Sequence, residues 1–353
     1  MTKKVYYDIA DDIENYPEAW CYIVVGGRGT GKTYSALKRE YVTMQEPFAF
    51  VKRTNDDVKI MCGSSKNVEM DLSPFKPINR DFVTNVKATL IQKGIGGFYN
   101  TNDEGEVTGS PVGYITSMNA IGNIKGFDLS DCEVMIFDEF IPNIYERVNK
   151  KEGEQILDLY KTISRDRELR GRKPLKLIAL ANATRVYNPL FEILEVIDIV
   201  VQMKATGEVV YYNNGIFIRL LDDNADFKKA ESNTAIMKSL SHTSWGKMAL
   251  DNEFAYDDFT HVGYTSLKGY KCLYGFSYKR KKCYVYVKRG KYYVCDSEDK
   301  TVKFYDLNIE TQQALFYDEQ GYKLRNQTID GNVLYSSYLP YYWIMNFRKY
   351  FIL

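Results

Sequence analysis

The hydrophobic pattern divides the chain into short apolar runs separated by amphipathic or polar stretches. Cys21-Tyr22-Ile23-Val24-Val25 is a β-branched apolar run of the kind that forms a buried central strand. Runs at 47–53, 112–117, 132–137, 175–181 and 197–203 predict strands in the same way. Between them the period changes. Ala36, Leu37 and Tyr41 recur at helical spacing after Tyr34, and Ile156, Leu157, Tyr160 and Ile163 share one face of a helix over 154–164. Residues 88–98 alternate and carry Gly94, Gly96 and Gly97, which predicts a hairpin; Asn100 to Gly109 reads as a polar turn. Residues 54–85 show no clear period. Strands alternating with helices predict an α/β fold with a mainly parallel sheet.

The first strand runs directly into Gly26-Gly27-Arg28-Gly29-Thr30-Gly31-Lys32-Thr33, and a helix follows. Strand, glycine loop and helix in that order are the context that gives a Walker A sequence its meaning. The glycines let consecutive amides curl inward, and the helix N-terminus adds partial positive charge. Lys32 is then expected to reach the β- and γ-phosphates of ATP, and the Thr33 hydroxyl to ligate Mg²⁺. Downstream, Glu133-Val134-Met135-Ile136-Phe137-Asp138-Glu139 is a strand ending in two carboxylates, a Walker B pattern expected beside the P-loop strand. Asp138 would hold Mg²⁺ and Glu139 would orient the attacking water. The strand over 175–181 ends in Asn182-Ala183-Thr184, and Asn182 is expected to sense the γ-phosphate. An extra strand between the two Walker motifs places the chain with RecA/ASCE-type P-loop ATPases.

Composition narrows this further. With 353 residues the chain is long enough for more than one domain. No apolar run approaches the roughly 18–20 residues of a membrane span, and the N-terminus lacks the apolar core of a signal peptide. The cysteines show no Cys-x-x-Cys pair and His242 and His261 are the only histidines, which argues against a zinc site. The net charge of +1 hides an uneven distribution. From Phe259 to Cys295 there is no acid, yet Lys268, Lys271, Lys279, Arg280, Lys281, Lys282, Lys288, Arg289 and Lys291 all fall there. Tyrosines alternate with them, a combination that suits a nucleic-acid backbone with exposed bases or sugars.

Taken together and in order, the Gly-x-Arg-Gly-x-Gly-Lys-Thr loop, the Phe48-to-Arg53 strand, Ile136-Phe137-Asp138-Glu139-Phe140-Ile141, the Arg165-Asp166-Arg167-Glu168 helix end and Asn182-Ala183 resemble the DNA-encapsidation ATPases of phi29-like phages. These are relatives of terminase large subunits. The resemblance is specific over residues 20–205. It implies a homo-oligomeric ring, usually a pentamer, at the portal of a prohead in the host cytoplasm, driving double-stranded DNA inward, with a packaging RNA in the motor. It matches Arg165 to a trans-acting arginine finger, with Arg167 and Arg170 as alternatives, and Lys125 to a second basic interface residue.

The division is 1–205 ATPase domain, 206–255 linker or lid, and 256–353 a β-rich α+β domain, which the resemblance to terminase relatives implies is RNase H-like. The strand over 272–278 lacks the carboxylates that two-metal cleavage needs, so this domain is expected to be a vestigial nuclease that binds DNA or packaging RNA. The competing functions are a terminase with a live nuclease and a nucleotide-switched assembly factor that does not translocate.

Overall fold

The computed structural model describes residues 6–63, 72–120, 128–142, 146, 149, 151–222, 224–243, 246, 254 and 257–351. By contacts the chain divides into two units, 1–194 with 203–256, and 195–202 with 257–353.

Among the described residues the first unit carries a nine-stranded sheet. Its strands are β1 (Cys21–Val25), β2 (Phe48–Lys52), β3 (Val86–Gln92), β4 (Ile95–Thr101), β5 (Val107–Ser117), β6 (Val134–Asp138), β7 (Lys176–Ala181), β8 (Val210–Asn213) and β9 (Ile216–Leu220). The order is β3-β4-β5-β2-β6-β7-β1-β9-β8. The pairs from β5 across to β9 are parallel, whereas β3–β4, β4–β5 and β8–β9 are antiparallel. β1 is buried at every residue, as a strand covered on both faces must be. The mainly parallel α/β reading therefore holds.

Two expectations fail. β6 pairs with β2 and β7, so the Walker B strand is separated from β1 by β7 rather than lying beside it. Residues 197–203 are not a strand. They belong to a helix, Ile197–Thr206. Its buried positions Ile197, Val200 and Val201 repeat at three and four residues, and a continuous β-branched run hides that period. β1 is flanked instead by β7 and β9, the latter in register from Cys21↔Ile216 to Val25↔Leu220.

The helices that position the site are α1 (Ile9–Asn15), α2 (Lys32–Lys38), α3 (Asn55–Met61), α4 (Lys76–Phe82) and α5 (Glu152–Ser164). α3 starts with a capping box in which Thr54 and Asp57 satisfy each other's backbone amides. α2 continues into a π-helical stretch, Arg39–Met44, that carries the fully buried Glu40. One Glu40 oxygen pairs with Arg39 and the other has no partner.

The second unit has its own five-stranded sheet among the described residues. β10 (Lys271–Tyr278), β11 (Lys281–Lys288) and β12 (Lys291–Cys295) form an antiparallel meander, with β13 (Lys303–Asp306) parallel to β10 and β14 (Val333–Tyr335) parallel to β12. Helices over 310–316, 322–329 and 338–345 accompany it, giving the expected β-rich α+β unit. No helix among the described residues is long and apolar enough to cross a membrane.

Two stability tests follow. Burial pushes the Glu40 carboxyl up from 4.5 to about 6 against the pull of Arg39. A raised carboxyl pKa means its stabilising contribution is complete below pH 4.5 and lost as pH rises through about 6. Glu40→Gln should therefore raise stability by about 1–2 kcal/mol at pH 8 and change it little at pH 4, read by denaturant titration. Arg167 is 2% exposed, donates to the Cys132 carbonyl at 2.5 Å and pairs with Glu133. Arg167→Ala should cost about 2–3 kcal/mol because it leaves the buried Cys132 carbonyl without its donor, while Glu133 keeps Arg172. Arg170→Ala, whose partner Asp166 is a surface carboxylate, should stay within about 0.5 kcal/mol.

Candidate nucleotide-binding and catalytic site

The C-terminal ends of β1, β6 and β7 bring the predicted residues to one place. Leaving β1, the backbone turns at Gly26, where an added Cβ would stand 2.7 Å from the Cβ of Leu221 at the end of β9. It then passes through Gly31 at φ 93°, a left-handed conformation that glycine adopts without steric cost. The curl is closed by Thr30, whose hydroxyl donates to the Gly27 carbonyl at 3.0 Å.

Lys32 lies inside that curl. Its Nζ donates to the carbonyls of Gly26 (3.1 Å) and Gly27 (2.6 Å), to Thr30 Oγ1 (3.2 Å) and to Asn182 Oδ1 (3.4 Å). Burial pulls its pKa down from 10.5 to about 8, with Asp138 and Glu139 opposing that shift. None of the described carboxylates forms an ion pair with it.

Thr33 donates from Oγ1 to Asp138 Oδ1 at 2.8 Å, tying the start of α2 to the tip of β6. A hydroxyl oxygen and a carboxylate oxygen are hard donors, a set that fits Mg²⁺. Glu139 follows at φ 59°, a strained conformation for a non-glycine residue, and its side chain is exposed. A cavity of about 910 Å³ is lined by Arg28 to Thr33 together with Asp138, Glu139 and Asn182. Arg165 is not in that lining. It caps α5 at φ 47° and ψ −126°, with its guanidinium 40% exposed and 3.5 Å from Asp128. Arg167 cannot substitute for it as a finger, because its guanidinium is occupied in the fold. Lys125 lies outside the described residues.

The sequence reading missed Lys52 and Arg53. Lys52 Nζ reaches Asp138 Oδ2 at 2.9 Å and Glu139 Oε2 at 3.1 Å. Burial alone would lower its pKa, but the two carboxylates outweigh burial and raise it. Arg53 donates to the carbonyls of Glu139 (3.2 Å) and Phe140 (2.6 Å) and pairs with Glu152 at the start of α5. Two adjacent bases ending a strand at the ligand edge were the available signal. A second cavity of about 340 Å³ opens on the other side of these groups, lined by Lys52, Arg53, Asp57, Glu139 and Glu146.

In the second unit the tyrosines do not form a stacking surface. Tyr274, Tyr284, Tyr286 and Tyr293 are buried, the last three packed with Cys272 and Cys295. The alternation of base and tyrosine is the period of two of a half-buried strand. The bases separate into two clusters at opposite ends of the hairpins. At the β10–β11 turn Lys281 pairs with Asp198, Arg280 with Glu195 and Lys282 with Glu298. At the other end, Lys268, Lys271, Lys288, Arg289 and Lys291 are exposed and meet no carboxylate among the described residues.

The DNA packaging protein of Bacillus phage B103 is 25% identical over 300 residues, covering 81% of this chain and 81% of that protein. The DNA packaging protein of Bacillus phage phi29 is 23% identical over 290 residues, covering 79% and 76%. Among solved structures, a chain of the bacteriophage phi29 viral genome packaging motor assembly superposes with a TM-score of 0.64 at 17% identity, covering 98% of this chain and 99% of that one. Residues 1–320 match the family described as Podovirus DNA encapsidation protein (Gp16), and the chain belongs to that family.

Proposed function

We propose that the chain is the ATPase of a phage DNA packaging motor, hydrolysing ATP to move double-stranded DNA into a prohead. The observation that carries this reading is the buried Lys32 ammonium, uncompensated by carboxylate and set beside two carboxylates at the tip of β6. Lys32 would bind the β- and γ-phosphates and Asn182 would contact the γ end. Mg²⁺ held by Thr33 and Asp138 would neutralise charge on those phosphates. Glu139 accepts the proton of the attacking water, and its ion pair with Lys52 orients the carboxylate beforehand. Arg165 would enter the neighbouring subunit's site, as its exposed place at the end of α5 allows.

Membership in the encapsidation family supports a ring, taken as a pentamer, that meets the portal and a packaging RNA in the host cytoplasm. Within the expected linker 206–255, β8 and β9 belong to the first unit's sheet, so a lid role is left to the part after β9. Helix Ala225–Ser232 supports it, since Phe227 lies 3.8 Å from where a Cβ on Gly29 would stand. The exposed cluster of Lys268, Lys271, Lys288, Arg289 and Lys291 supports nucleic-acid binding by the second unit through phosphate contacts. A live nuclease is disfavoured because β10 carries no carboxylate.

ATP turnover, measured with and without double-stranded DNA, tests the reading. Glu139→Gln should lose about 10²–10⁴ in kcat while still binding ATP, and Arg165→Ala about 10³–10⁵. Mixing the two inactive variants should restore part of the rate, because some interfaces then combine an intact Glu139 with an intact Arg165. Wild-type turnover indifferent to DNA, or an Arg165→Ala protein of full activity, would refute it.

A further inference from the structure

The cavity beside the P-loop extends past every group used above. Its volume of about 910 Å³ is near the upper end for whole small-molecule ligands, so it has room for a nucleoside beside the phosphate chain. Lys32 and the Asp138–Glu139 tip fix the γ end. The rest of the lining includes residues 6–8, Tyr34 of α2, and Arg80 with Asp81 of α4.

This remaining end is held in place. The Tyr7 amide donates to the Thr30 carbonyl at 2.9 Å, which lays the N-terminal segment on the loop. Opposite, Tyr34, the residue after Thr33, donates its hydroxyl to Asp81 Oδ2 at 3.0 Å, tying α4 to α2. Arg80 Nε donates to Asp81 Oδ1 at 2.8 Å. Asp81 thus accepts one hydrogen bond on each oxygen. A carboxylate offers about four acceptor positions, so capacity remains on Asp81, which lines the cavity with its side chain exposed. The Arg80 and Tyr34 donors hold its carboxyl below the usual range, which keeps it acceptor-only at neutral pH.

We propose that this end of the cavity is the nucleobase subsite and that Asp81 accepts a hydrogen bond from the exocyclic amine of adenine. The assignment rests on reading the P-loop as a triphosphate site. Its chemical consequence is selectivity. Hypoxanthine places a carbonyl oxygen where adenine has its amine, so inosine triphosphate would set acceptor against acceptor. In Asp81→Asn, Tyr34 and Arg80 compete for a single amide oxygen. The amide nitrogen is then free to face the base and favours the 6-oxo group.

The test is competition binding to the full chain of Mg·ATP, Mg·ITP and Mg·tripolyphosphate, with wild type and Asp81→Asn. Wild type should prefer ATP over ITP by about tenfold, the scale of one charge-assisted hydrogen bond. Asp81→Asn should bring that ratio close to one while leaving tripolyphosphate affinity unchanged, which also shows that the variant is folded. Equal wild-type affinity for ATP and ITP would overturn the assignment. So would a variant that keeps the wild-type ratio, or one whose tripolyphosphate binding falls in step with ATP. Failure of all three probes to bind wild type would instead remove the triphosphate reading itself.

Discussion

Lys32 donates to two backbone carbonyls and a hydroxyl in an interior where an ammonium ion usually meets a carboxylate. Partial negative charges satisfy its protons without cancelling its charge, and burial draws its pKa down to about 8. The features around it follow from keeping that cation available. Asp138, the nearby carboxylate, is committed to Thr33 and Lys52. Gly26 and Gly31 let the backbone come close enough to supply carbonyls in place of a carboxylate. On the proposed function, an incoming triphosphate would meet a positive site whose polar groups are already ordered, so less would be lost in organising them on binding.

The end of β2 performs the matching task for the carboxylates. Lys52 bridges Asp138 and Glu139, and Arg53 holds the backbone of Glu139 and Phe140. These contacts sustain Glu139 in a left-handed conformation that costs of order 1–3 kcal/mol. Arg53 also pairs with Glu152 at the first turn of α5, and Arg165 caps the other end of the same helix. The same helix, Glu152–Ser164, thus carries at one end a contact of Arg53, which holds the Glu139 backbone, and at the other Arg165. Glu139 and Arg165 are the two residues proposed to activate water and to reach a neighbour.

The parts that were readable in the sequence are those where local chemistry dictates local structure. The β1 run, the glycine loop and the Asp138-Glu139 tip each need particular residues in consecutive positions, and each lies where that need implies. The parts that were not readable depend on partners distant in sequence. The helix over 197–206 has the composition of a strand and is told apart by what it packs against. β1 proved to lie between β7 and β9 rather than beside β6, because adjacency in a parallel sheet is set by crossovers rather than chain order. Lys52 and Arg53 are two bases ending a strand in the sequence, and only β6 across the sheet gives them a role. The tyrosines after residue 270 carried the period of a half-buried strand, and that signal was read as a binding surface.

Proton uptake on nucleotide binding tests the central claim most directly. A phosphate beside Lys32 must raise its pKa from about 8, so Mg·ATP binding at pH 8.5 should take up a proton. Calorimetry in buffers of different ionisation enthalpy would read that uptake, and affinity should fall as pH rises through 8. Lys32→Met should abolish both effects. Binding of Mg·ATP with no proton uptake at pH 8.5, and an affinity flat from pH 7 to 9, would contradict the account.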